Sequence, residues 1–230
     1  GKVQLIAGPG NDYVTSAKKQ LSASGEVLID SLAGHTELLI VADDSANPKF
    51  IAEDLLSQAE HGNRTLCGVV SNSIPLIEFV KRVLMESLPR PRQEHILRSI
   101  LFTVLTESLE QMVEFSESLA PEHLELMVAK PDRLIRRLRS AGLLLLGGYT
   151  PCSSTDYIVG TNHILPTGGT AVSFPGLGVE RFLKRVTVVR GTKESLLKSS
   201  RYISALTKLE GFPNHAMAVE ARFNKEGKRK

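Results

Sequence analysis

Apolar residues along the chain fall into short unbroken runs separated by longer stretches with helical spacing, and turn residues punctuate each change. Val3 to Ala7 alternates as a strand does and runs into Gly8-Pro9-Gly10-Asn11, after which Asp12 to Leu21 is helix-forming. Val27 to Ile29 and Leu38 to Ala42 are compact apolar runs of the kind buried parallel strands show. Asn47-Pro48 offers an N-cap and a first helical position, and Gly62 a stop, for a helix with the apolar stripe Ile51, Leu55, Leu56 and Ala59. A strand over Leu66 to Val70 and a helix over Ile74 to Leu88 follow, then an interruption at Pro89-Arg90-Pro91-Arg92. The later part of Ile96 to Leu105 reads as strand, Glu107 to Leu119 as helix and Leu124 to Val128 as an alternating strand. Asp132 caps a predicted basic helix ending at Gly142, and Leu143 to Leu146 is a buried strand. Beyond a Gly/Pro/Ser/Thr-rich stretch from Gly147 to Gly178 the pattern predicts further elements. They are a short helix near Glu180 to Lys184, a strand over Val186 to Val189, a helix from about Lys193 to Thr207 and a last helical segment after His215.

Strands alternating with helices predict an α/β fold, because each parallel crossover needs a helix. The expected architecture is a parallel, three-layer, Rossmann-like sheet with helices on both faces, plus a C-terminal helical arm. The main α/β domain spans 37–190, and the arm, with a basic tail, spans 191–230. A structureless stretch as long as Gly147 to Gly178 exceeds the ~15 residues usual for a connecting loop, so the site is expected there.

Composition narrows the function classes. The chain has 230 residues, 42% hydrophobic and 23% charged, which is ordinary for a globular protein and excludes disorder. Two cysteines, Cys67 and Cys152, are too few and too far apart for a disulfide scaffold or a zinc ribbon, and a reducing compartment is expected. No apolar run approaches the ~20 residues that cross a bilayer, so no membrane association is expected. The net charge of +3 is matched by the tail from Phe223 to Lys230, four bases against Glu226. With 5% aromatics and no tryptophan to stack on bases, nucleic acid is not an expected partner.

Four clusters could carry chemistry. Gln58 and His61 lie three apart near the end of a helix, where an amide oxygen and an imidazole suit a borderline metal such as zinc; equally, His61 could only cap the helix. In Pro121-Glu122-His123, adjacent acid and imidazole at the start of a strand could divide proton work or face opposite sides of a sheet. The loop from Tyr149 to Thr170 places Asp156, Asn162 and His163 among glycines and hydroxyls. Glu210-Gly-Phe-Pro-Asn-His215 is the fourth, with a helix-to-helix turn as its bland reading.

Taken together and in this order, the clusters resemble histidinol dehydrogenase, the zinc-dependent enzyme of histidine biosynthesis. The match runs from about Val3 to Arg222. It rests on GPGN(x)YV at Gly8 to Val14, ADDSANP and LLSQAEHG within Ala42 to Gly62, and LAPEHLE at Leu119 to Glu125. It continues through GTNHILPTGGTA at Gly160 to Ala171 and EGFPNHA at Glu210 to Ala216. The resemblance implies oxidation of the amino alcohol L-histidinol to L-histidine through the aldehyde, with NAD and one zinc. It implies Gln58, His61, Asp156 and His215 as zinc ligands, His123 as base for the alcohol proton and Glu122 as the activator of water. Thr36, Gln58, His61, His163 and Glu210 fall on substrate-binding positions, and Asn11 on the side of the nicotinamide cofactor. A cytoplasmic homodimer with shared sites is implied, His215 coming from the second copy.

The chain departs from the family in three respects. It is about half the usual length, so residues 1–36 correspond to a remnant of a second nucleotide-fold domain. A separate N-terminal polypeptide or a second copy is therefore expected to complete the cofactor site. Gly148 and Cys152 replace acidic residues, and His35-Thr36 replaces Pro-Ser, which bears on specificity. The alternative expectation is a catalytically inactive zinc-binding homologue acting as a binding or regulatory protein.

Overall fold

The computed structural model describes residues 1–62, 64–87 and 99–223. The Pro89 to Arg92 interruption, the beginning of the Ile96 to Leu105 segment and most of the basic tail lie outside these residues. Two compact units are present, Gly1–Leu183 and Lys184–Lys230.

The first unit opens with β1 (Leu5–Ile6), α1 (Asp12–Ala23) and β2 (Leu28–Ile29), and β1 and β2 pair in parallel as a sheet of their own. The Asn11 side chain accepts hydrogen bonds from the Tyr13 and Val14 amides and so starts α1. Behind the turn, Lys18 Nζ lies 2.7 Å from Asp30 Oδ1, both side chains almost wholly buried. Asp30 Oδ2 accepts the Gly8 amide at 2.7 Å, and Lys18 also donates to the Gly8 carbonyl. Gly8 has φ +143°, which only glycine adopts freely. The buried pair thus holds the Gly8-Pro9-Gly10 turn in place. Replacing Lys18 by methionine leaves the Asp30 charge buried without its partner, and urea denaturation is expected to show a loss of about 3–5 kcal/mol.

The main sheet has five parallel strands in the order β5 (Ile100–Leu105), β4 (Leu66–Ser71), β3 (Glu37–Ala42), β6 (His123–Met127) and β7 (Leu143–Leu146). Helices α2 (Pro48–Ala59), α3 (Ile74–Ser87) and α4 (Leu109–Leu119) make the crossovers. Leu38, Ile40 and Ala42 pack with Ile51 and Leu55 of α2 and Val80 of α3. Leu39 and Val41 face the other way, against Met112 and Val113 of α4 and Leu124 and Leu126 of β6. Burial of both faces is the reason these strands read as unbroken apolar runs rather than alternating ones. The parallel sheet with helices on both faces is the architecture the pattern predicted.

The boundaries shift at several elements. The basic helix expected from Asp132 to Gly142 is only a 3₁₀ turn at Pro131–Arg133 followed by turns. Leu134 and Leu138 are buried as an amphipathic helix would have them, but Glu117 of α4 accepts the Arg139 and Ser140 amides and the Ser140 hydroxyl, drawing the chain off a helical path. The Glu180 to Lys184 helix is a 3₁₀ turn over Val179–Phe182, and the first strand is only Leu5–Ile6. Strand β6 begins one residue earlier than expected, so that His123 lies within it. A four-residue helix, α5 (Cys152–Thr155), interrupts the long loop after β7.

In the second unit α6 (Lys193–Glu210) opens with a capping box between Thr192 and Ser195 and closes at Gly211, φ +73°. It is followed by α7 (Pro213–Glu220). Val186 to Val189 is not a strand: Val186, Val188 and Val189 are exposed, and no strand among the described residues pairs with them, so β-propensity has no ladder to join. No helix among the described residues is long and apolar enough to cross a membrane.

Candidate functional site

A cleft of about 420 Å³ in the first unit is lined by Thr36, His61, Glu122, His123, Asp156 and His163, with the Gly8-Pro9-Gly10 turn as one wall. It sits at the amino ends of β3 and β6, where Leu38 pairs with His123. Four chain segments far apart in sequence deliver these residues: the entry to β3, the end of α2, the entry to β6, and the loop beyond β7.

Glu122 and His123 are both buried. His123 Nδ1 lies 3.2 Å from the Glu37 carbonyl oxygen. A carbonyl only accepts, so Nδ1 carries the proton and the lone pair is on Nε2, a buried atom with no partner among the described residues. Glu122 Oε2 accepts the Thr36 hydroxyl at 2.7 Å and the Glu37 amide at 3.1 Å, and lies 3.5 Å from His123 Nδ1. The Glu37 carboxylate returns the bond, accepting the Glu122 amide at 3.2 Å and the Gly168 amide at 2.9 Å. Burial raises the Glu37 carboxyl above its usual range, opposed by those two amides. Sequence reading missed Glu37: as the first residue of a strand it looks like an ordinary solvated end.

Gln58 is buried on α2, and its Nε2 donates to Thr36 Oγ1 at 2.7 Å. Because the single Thr36 hydroxyl hydrogen is committed to Glu122, Thr36 must accept from the amide nitrogen. That fixes the Gln58 flip and leaves its Oε1 buried without a partner among the described residues. His61 lies just beyond the end of α2, its Nε2 3.8 Å from Asp156 Oδ2. Two atoms bound to one tetrahedral zinc sit about 3.4 Å apart, close to this separation. An orphaned amide oxygen, an imidazole and a carboxylate are a donor set zinc accepts, so these residues fit the metal. Among the described residues no three His, Cys, Asp or Glu side chains come close enough to hold a metal ion by themselves. The remaining residues singled out from sequence are placed as follows. Asn11 is exposed and caps α1. Glu210 ends α6 of the second unit, and His215 is on α7 with its ring stacked 5.2 Å from that of Phe212.

A second acidic pair escaped the sequence reading. Asp54 on α2, one helical turn before Gln58, is in hydrogen-bonding reach of Glu125 on β6, two residues after His123. Glu125 is 1% exposed, and burial and the Asp54 charge raise its carboxyl well above the usual range. Burial lifts Asp54 to about 6, with the Glu53 charge adding to the effect. The pair therefore holds a proton near neutral pH. The signal was a charged residue within each apolar pattern, Asp54 beside Ile51 and Leu55, Glu125 between Leu124 and Leu126. As pH rises through about 6 the unfolded chain has already released these protons and the folded chain has not, so the pair's contribution to stability is lost. The urea midpoint is expected to fall between pH ~5 and ~8, less steeply in Glu125→Gln; identical slopes would remove the pair from the account.

The family model described as histidinol dehydrogenase matches residues 1–223. Histidinol dehydrogenase of Methanococcus maripaludis is 43% identical over 97% of this chain and 53% of its own length. That of Methanocaldococcus jannaschii is 41% identical over 96% of this chain and 52% of its own. The crystal structure of histidinol dehydrogenase from Elizabethkingia anophelis superposes with a TM-score of 0.89 at 35% identity, covering 97% of this chain and 52% of that one. The chain spans about half the length of the curated relatives it matches.

Proposed function

The chain belongs to the histidinol dehydrogenase family, and from that membership we propose that it carries the metal and acid–base side of a site that oxidises L-histidinol to L-histidine with NAD. The observation that carries this reading is one cleft lined by His61, His123 and Asp156, in which His123 Nε2 is a proton acceptor without a partner among the described residues, while the Gln58 amide lies behind Thr36.

Gln58, His61, Asp156 and His215 would hold zinc. The metal would supply Lewis-acid polarisation and an anchor for an imidazole or amine nitrogen, and NAD would accept the hydrides. His123 Nε2 takes the alcohol proton while its Nδ1–H remains on the Glu37 carbonyl, which keeps the ring in one tautomer. Glu122 activates the water that adds to the aldehyde. Thr36 ties the Glu122 carboxylate to the Gln58 amide, and His163 and Glu210 contact the substrate. Asn11 and the Gly8-Pro9-Gly10 wall face the cofactor, whose remaining contacts come from residues outside this stretch, whether of a separate N-terminal-half polypeptide or a second copy. In a homodimer with shared sites, Glu210 and His215 would be supplied by the second copy. The free buried thiols of Cys67 and Cys152 suit a reducing, cytoplasmic setting.

Ligand-induced stabilisation tests the reading. Histidinol at ~100 times its Kd is expected to add about 2.7 kcal/mol of stability when zinc is present and none in chelator. Equal stabilisation in both would separate ligand from metal and overturn it. A zinc-binding protein without turnover is the second reading, separated from the first by rate and not by binding.

A further inference from the structure

The short helix α5 delivers Asp156, its C-cap residue, to the cleft. Four residues cannot hold a helical turn by propensity alone, and α5 lacks the usual start. Its N-cap is Pro151, which offers no side-chain acceptor to the amides of the first turn. The Cys152 amide is instead bound from outside the helix: Glu125 Oε1 of β6 accepts it at 2.7 Å. Glu125 is itself braced. Its Oε2 is buried without a hydrogen-bond partner among the described residues, and Asp54 is close enough that burial and its charge keep the two carboxylates from both being ionised. With one proton between them the orphaned oxygen gains a hydrogen bond, and Asp54 joins α2 to β6. The same three elements carry the candidate site: α2 brings Gln58 and leads to His61, β6 begins with His123, and α5 ends at Asp156.

We propose that Glu125, braced by Asp54, is a positioning residue for the metal site: it takes the place of the missing N-cap of α5 and so sets Asp156 opposite His61. The inference rests on Asp156 being a metal ligand. Glu125 touches neither metal nor substrate; its effect passes through the backbone of Cys152 to Asp156. What is needed is an acceptor for the Cys152 amide and one hydrogen between residues 54 and 125, and an uncharged amide at position 125 provides both.

The test is zinc affinity of the whole chain, read by competition with a chromophoric chelator, for wild type, Glu125→Gln, Glu125→Leu and Asp156→Asn. Thermal unfolding in EDTA identifies the variants that fold. Glu125→Leu is expected to bind zinc about 10–100-fold more weakly, the range for residues that orient a ligand. Glu125→Gln should stay within about 3-fold of wild type, a rescue that loss of packing alone would not give. If Glu125→Leu does not fold, Glu125→Asp, one methylene short of the Cys152 amide, takes its place with the same expectation. Wild-type affinity in a folded Glu125→Leu or Glu125→Asp variant, or a Glu125→Gln as weak as Glu125→Leu, overturns the inference. Failure of the underlying reading has a different signature: wild-type zinc affinity in Asp156→Asn, which overturns both.

Discussion

Histidinol oxidation is expected to fall by about 10²–10⁴ when His123 becomes asparagine, with bound zinc unchanged. The asparagine amide can keep the donor that His123 Nδ1 offers the Glu37 carbonyl, but it has no basic lone pair where Nε2 stood. The burial of His123 and the commitment of its Nδ1 leave the ring one proton-accepting atom, which is the reason for assigning the whole effect to it. The assay is NADH formation in protein that includes the full cofactor cleft, because hydride transfer requires both partners in near-attack geometry. The 230-residue chain alone is expected to reduce NAD weakly or not at all. A His123→Asn rate within about 3-fold of wild type would remove the base. Absence of turnover in the completed wild type would favour the binding-protein reading.

Zinc is expected at about one per chain in protein purified without chelator, as for a single site. His61→Ala should weaken binding more than about 100-fold, beyond the range for residues that merely orient a ligand. The imidazole is half exposed and 3.8 Å from Asp156, so its removal costs little folding stability and the loss reads directly on the metal. Unchanged zinc in His61→Ala defeats the site. A mixture of His61→Ala and His215→Ala chains tests the shared arrangement. Mixed dimers have one intact site of two, so zinc binding should return to about a quarter of the wild-type level after exchange of subunits. No recovery in a dimeric protein would place both ligands in one chain.

The strands and crossover helices were legible because burial of both sheet faces makes apolar runs unbroken, and because Asn47-Pro48 marks its helix start as a cap does. Spacing along one helix singled out Gln58 with His61, and adjacency Glu122 with His123, but a capping histidine and a strand pair remained open readings until the resemblance of the surrounding motifs gave them roles. Glu37, Asp54 and Glu125 were not, since each acts through a partner brought from another element, and a single charge in an apolar pattern looks like a solvated position. The loss of the 132–142 helix has the same origin: Glu117 captures two of its amides from a different helix. Val186 to Val189 shows the converse, a favourable local pattern with no neighbouring strand among the described residues to complete it.

The bond from the Gly168 amide to Glu37 spans 131 residues, and that from Thr36 to Glu122 spans 86. Leu38 pairs with His123 across a similar span, so the strands themselves close most of those loops, and each further doubling of loop length costs only about 0.6 kcal/mol more. Release of the segment around residues 167 and 168 would break the Gly168–Glu37 and Gly34–Thr167 bonds while leaving β3 and β6 paired and buried. Such a local opening, with a free energy below that of global unfolding, frees the Glu37 carboxylate of its Gly168 donor while Glu122 and His123 keep their bonds to Thr36 and Glu37. Amide hydrogen exchange at Gly168 then reports how often that wall of the cleft opens, with no substrate or metal present.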